Sequence, residues 1–138
     1  MKCLLDLNIV VDLLTNREPF VEAARRFVDQ ATRSRADLLV SAAAIPTIHY
    51  IVRQTAGRAH AFTAIDQILT TMSIATTDAA AIIAARAMPG TDFEDNVQIA
   101  CAIGGGCDLI VTRDLRDFAL SPIKVLAPTE AAEFLAAL

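Results

Sequence analysis

Apolar runs of two kinds alternate along this chain. The short ones, LLD at residues 4–6, ADLLVS at 36–41, MSIATT at 72–77, CDLIVT at 107–112 and IKVL at 123–126, predict strands. Continuous apolar runs of that length suit strands covered on both faces. The longer runs carry 3/4 spacing and predict helices. NIVVDLLTN at 8–16 is the first, with Asn8 placed to cap it. Pro19 fits the first turn of a second that runs to about Arg35, with Phe20, Ala23, Ala24, Phe27, Val28 and Ala31 along one side.

Ser41 is a natural cap for the next helix, AAAIPTIHYIVRQTAG, and Gly57 a natural stop. Pro46 lies inside that pattern. Either it belongs to the first turn of a helix starting nearer residue 44, or it kinks the helix. RAHAFTAIDQILTT and DAAAIIAARAM predict two more helices, and PGTD a break. From Asp92 to about Ile103 the pattern is apolar or small on every side after the first turn, as in a helix buried on most faces. The glycines at 104–106 end it, TRDLRDF predicts a turn, and APTEAAEFLAAL a closing helix capped by Thr129. Strands alternating with helices predict one α/β domain over residues 1–138. Its expected architecture is a three-layer sandwich around a central, mostly parallel sheet.

Composition narrows the class. A chain of 138 residues can bury roughly two thirds of its unfolded surface and needs no staples. Cys3, Cys101 and Cys107 are an odd number in apolar segments with no C-x-x-C spacing, which points to reduced core thiols and a cytoplasmic location. Asp6 and Asp12 break the first apolar stretch before a signal peptide or membrane span can form. The formal charge of −4 argues against binding nucleic acid through a basic surface alone. It leaves room for a metal enzyme, in which bound cations supply the positive charge.

Four aspartates stand at the ends of these elements. Asp6 closes the first strand, Asp95 opens the buried helix, and Asp114 and Asp117 follow LIVTR. Each has an ordinary explanation as a turn residue or as favourable charge at a helix start, Asp92 included. Together they suggest more. Carboxylates that converge beyond the carboxyl ends of parallel strands, where such folds bind ligands, repel one another unless a divalent cation such as Mg²⁺ or Mn²⁺ lies between them. The matching chemistry is phosphodiester hydrolysis, with Asp6, Asp95 and Asp114 binding the ion directly or through water. Asn8, Thr112 and Asp117 would support them, and Arg113 and Arg116 would contact backbone phosphates. His49 and His60 have no partner for nucleophilic catalysis and read as packing or surface residues. GGG precedes a strand and is no phosphate loop.

LLDLNIVVDLL, a strand ending in VS, DFEDNVQIACAIGGGCDLIVTRDLRDF and SPIKVLAPTEAAEFL, in that order and over nearly the whole chain, resemble the PIN domain. The resemblance is to a branch related to VapC-type toxins. It implies an Mg²⁺- or Mn²⁺-dependent ribonuclease, a homodimer, RNA as substrate, and a small antitoxin packed in a groove between helices and reaching toward the acidic site. By position it carries the acids over to Asp6, Asp95 and Asp114, with Asp117 supporting, and the asparagine two places on to Asn8. Leu7 replaces the usual threonine or serine. Thr47 stands where many members carry a glutamate, so either Glu94 or Asp92 compensates, or metal binding is weaker, or the domain serves as a binding or regulatory module. A receiver-like phosphoacceptor lacks its adjacent acidic pair here.

Overall fold

The computed structural model describes residues 1–138. Its centre is a five-stranded sheet of β1 (Lys2–Leu5), β2 (Asp37–Ser41), β3 (Ser73–Ala75), β4 (Leu109–Val111) and β5 (Lys124–Leu126), in the order β3-β2-β1-β4-β5. Every neighbouring pair is parallel, so the sheet is wholly parallel where a mostly parallel one was expected. Side chains alternate between its two faces. Cys3, Leu5, Val40, Leu109 and Val111 join one core, while Leu4, Leu39, Ala75 and Ile110 join the other. This is the period of two that a pleated strand imposes.

Helices cover both faces, which makes the expected three layers. Against the first face pack α1 (Leu7–Thr15), α2 (Val21–Arg33), α3 (Ala44–Ala56), α4 (Arg58–Thr71) and α7 (Pro128–Ala136). The second face carries α5 (Ala79–Ala87), α6 (Phe93–Gly104) and the 3₁₀ turn Leu115–Phe118, anchored by buried Phe118. In α6, residues 96–102 are buried without a break, as the all-round apolar pattern predicts.

Several element ends differ from the pattern-based reading. Asp6, not Asn8, caps α1, accepting from the Leu7 amide. The second helix starts at Val21, beyond Pro19, whose bond to Glu18 is cis. Pro46 does lie in the first turn of α3, where its missing N–H costs nothing. Ser41 remains in β2, and its hydroxyl accepts from the Ala44 amide at 3.2 Å across a short turn. Gly57 ends α3 at φ 91, a backbone region that favours glycine. The last helix takes Pro128 into its first turn, so Ala127 holds the cap position expected for Thr129.

Candidate active site

In this strand order the chain leaves β1 toward β2 on one side and returns to β4 on the other. The crevice beyond the carboxyl ends of β1 and β4 is therefore the topological switch point, where parallel α/β sheets bind ligands. Asp6 follows β1 there, and Thr112, Arg113 and Asp114 follow β4. Their backbones are tied, since the Asp6 amide donates to the Val111 carbonyl at 2.9 Å.

Asp6 is 7% exposed. Its Oδ1 accepts from the Leu7 amide at 2.7 Å and its Oδ2 from the Thr112 hydroxyl at 2.8 Å. The same hydroxyl accepts from the Asp114 amide at 3.0 Å, so Thr112 links the two acids. Asn8 Nδ2 donates to Asp114 Oδ2 at 3.0 Å, while its Oδ1 is buried with no partner. Burial pushes the Asp6 carboxyl above its ordinary range. The hydrogen bonds from Thr112 and Leu7 act against that shift, and the charges of Asp114 and Asp117 add to it.

Asp95 comes from the first turn of α6, where Asp92 caps the helix by accepting from the Asp95 amide at 3.2 Å. The residue is half-buried, but its Oδ2 is shut off from solvent and has no partner. Burial first, and then the charges of Asp92, Asp117, Asp6 and Glu94, push its carboxyl up to about 7. Asp114, Asp117 and Arg116 are exposed.

The four aspartates share a neighbourhood without forming a closed ligand set. No group of three or more His, Cys, Asp or Glu side chains converges closely enough to hold an ion unaided. The Asp114 carboxylate is instead engaged by Asn8. The donors still fit Mg²⁺ or Mn²⁺. Asp95 Oδ2 and Asn8 Oδ1 are buried oxygens without donors, and Mg²⁺ commonly binds through one or two carboxylates while keeping several waters.

Arg113 is engaged elsewhere than expected. Its Nε and Nη2 donate to Asp12 at 2.7 and 3.3 Å, and its guanidinium lies 3.8 Å from the centre of the Phe20 ring. Asp12 is fully buried. This pair was missed, although a lone acid inside VVDLL is a signal, because a buried charge requires a partner. Arg116 makes no such pair and is exposed. His49 packs edge-on against Phe62, 4.8 Å between ring centres.

Beside the acids lies a cleft of about 230 Å³, lined by Leu7, Ala43, Thr47, Phe93, Glu94 and Gln98 among others. Thr47 and Glu94 thus share a wall at the position where an acid was expected on α3. Gln98 was also missed. It is 8% exposed, and its Oε1 is buried without a partner.

A wholly parallel sheet with acids at its switch point defines the class of α/β protein, and the comparisons define the family. The PIN domain family model matches residues 2–116. The chain belongs to the PIN domain family. No curated protein matches its sequence. Among solved structures, it resembles VapBC2 from Rickettsia felis bound to a promoter DNA fragment, with a TM-score of 0.71, 14% identity, and coverage of 92% of this chain and 98% of that one. It resembles the sarcin-ricin loop cleaving toxin VapC20 from Mycobacterium tuberculosis, with a TM-score of 0.68, 14% identity, and coverage of 88% and 95%. A toxin-antitoxin complex from Klebsiella pneumoniae gives a TM-score of 0.69, 20% identity, and coverage of 91% and 97%.

Proposed function

We propose that this PIN domain is a divalent-metal-dependent endoribonuclease that hydrolyses RNA phosphodiester bonds, acting in the cytoplasm as the toxin of a toxin-antitoxin pair. The observation that carries this reading is a pair of carboxylates with no counter-charge beside the switch point of the sheet, buried Asp6 and half-buried Asp95, whose Oδ2 has no partner. A packing role does not account for them, because burial without a counter-charge disfavours the ionised form. A bound Mg²⁺ or Mn²⁺ supplies the positive charge that activates water and offsets charge on the phosphate.

Asp6, Asp95 and Asp114 would hold the ion, directly or through waters, and Asn8 Oδ1 would orient one of those waters. Thr112 fixes the Asp6 carboxylate and the Asp114 backbone relative to each other. Arg116 reaches the RNA backbone, Asp117 supports the acidic side of the crevice, and Arg113 holds the loop from behind.

The partner proposed for the pair is a small antitoxin, as in the toxin-antitoxin complexes that this fold resembles. An apolar groove of about 530 Å³ between α1, α2 and α4, lined by Leu13, Leu14, Val28, Ile68 and Met72, offers it a seat. Tyr50, Phe62 and Leu69, exposed on α3 and α4, would serve a homodimer contact. No helix is long and apolar enough to cross a membrane.

RNA cleavage with and without Mn²⁺ tests the reading. Cleavage that needs the ion and disappears in folded Asp6→Asn and Asp95→Asn proteins supports it, whereas cleavage surviving both changes rejects the site. Thr47 and the absence of a closed three-acid set favour a second reading, a degenerate PIN domain that binds or regulates without cutting. Calorimetric titration showing no Mn²⁺ binding at millimolar metal would select it.

A further inference from the structure

We propose that the cleft beside Asp6 and Asp95 receives one unstacked base of the RNA, next to the cleaved phosphodiester, and selects bases that carry an exocyclic amino group. The inference rests on the nuclease reading and adds a substrate preference to it.

Three features of the cleft point to a base. Its volume of about 230 Å³ and mostly apolar lining fit a single flat ring system rather than a larger ligand. Phe93 on its wall is 46% exposed, an aromatic face on which a base can stack. Single-stranded RNA is read in this way, by stacking unstacked bases on aromatic rings and hydrogen-bonding their edges. Gln98 supplies the edge contact. Its Oε1 is buried without a protein partner, and an unsatisfied buried amide is a standing cost that a ligand can remove.

Location ties the base to the reaction. Leu7 follows Asp6 in sequence and Glu94 precedes Asp95, so a base seated between them belongs to a nucleotide adjoining the acids. Thr47 leaves the space open on the α3 side.

Glu94 sets the preference. Its carboxylate only accepts hydrogen bonds, and the Gln98 amide both donates and accepts, a set that suits the amino group of adenine, cytosine or guanine. Uracil has no amino group, and its ring N3–H is flanked on both sides by carbonyls that would face the Glu94 carboxylate.

The test uses single-stranded RNA oligonucleotides with one cleaved bond and each base in turn at the flanking positions. At one flanking position, amino-bearing bases should raise kcat/KM over uracil by at least about tenfold, the scale at which hydrogen-bonding sites reject analogues that lack a donor. Gln98→Leu, which keeps the size and removes the amide, should collapse that ratio, as should Phe93→Ala at an exposed position if the first variant does not fold. No base preference, or a preference that both folded variants retain, overturns the proposal. Titration of the wild-type protein with millimolar nucleosides, followed by NMR, separates this outcome from failure of the nuclease reading. Adenosine and cytidine should shift the amides of residues 43–45, 47 and 93–98, and uridine should not. Equal shifts with uridine, or none with any nucleoside, reject the base site whether or not the protein cuts RNA.

Discussion

Asp12 and Arg113, 101 residues apart in sequence, form a two-bond ion pair in which the carboxylate is fully buried and the arginine side chain 23% exposed. The asymmetry makes the two deletions unequal. Arg113→Met strands a buried carboxylate, whereas Asp12→Ala leaves a guanidinium that can still reach water.

Arg113→Met should therefore destabilise the fold by about 3 kcal/mol or more, the range for breaking a buried pair, and Asp12→Ala by less. Arg113→Lys should not restore the loss, because a lysine lacks the two-pronged geometry. Urea midpoints of the single and double variants check this, and the double variant should lose less than the sum of the singles.

Gly90 holds the approach to α6. Its carbonyl accepts from Asn96 Nδ2 at 2.9 Å, and an added Cβ would collide with the Asn96 side chain, itself only 6% exposed. Gly90→Ala should cost about 1–3 kcal/mol as overpacking and shift the first turn that carries Asp92 and Asp95. A thermal melt indistinguishable from wild type would refute the prediction.

The acids should make the metal-free protein lose stability as pH rises. The Asp95 carboxyl moves from its ordinary value of 3.8 to about 7 on folding, and Asp6 shifts in the same direction. Between those two values the folded state holds more protons than the unfolded one. The contribution of Asp95 is therefore fully present below about pH 4 and lost as pH rises through about 7. Asp95→Asn keeps a neutral group at every pH, so its advantage over wild type should widen from pH 4.5 to pH 8 in urea unfolding. A gap that stays constant across that range contradicts the assignment. With Mn²⁺ present the wild type should regain stability at the higher pH, because metal binding requires the carboxylates deprotonated.

Glu94 and Thr47 allow a replacement test. If Glu94 takes over from the acid missing on α3, Glu94→Gln should weaken Mn²⁺ binding by roughly tenfold, about 1.4 kcal/mol. Adding Thr47→Glu to that variant should recover most of the loss. Calorimetry reads both, and unchanged affinity in Glu94→Gln would return the compensation to Asp92 or to none.

The layers of this fold were legible because each strand and helix obeys its own period. Leu4 and Cys3 face opposite cores, and residues 96–102 bury a whole helix. Element ends were less legible where two residues compete for one role. Asp6 outcompeted Asn8 as a cap because it sits directly before the first helical amide and Asn8 already lies inside the helix, and Pro128 displaced Thr129. Within the site, the neighbourhood of Asp6, Asp95 and Asp114 followed from their places at element ends. The bonds among them did not, since Thr112 and Asn8 meet the acids only across strands and loops distant in sequence. Gln98 was hidden for a related reason, as its neighbours Val97 and Ile99 made it read as part of a core face.

The Thr112–Asp6 bond joins positions 106 residues apart, across the seam where β4 enters beside β1. A chain leaving the ribosome from its N-terminus therefore displays Asp6 early and has nothing to complete the crevice until residues 109–114 have emerged. Long-range pairings of this kind form late because loop closure must come first. The seam thus acts as a timer. Nearly all of residues 1–138 must therefore be in place before Asp6 and Thr112 can meet and the crevice can close.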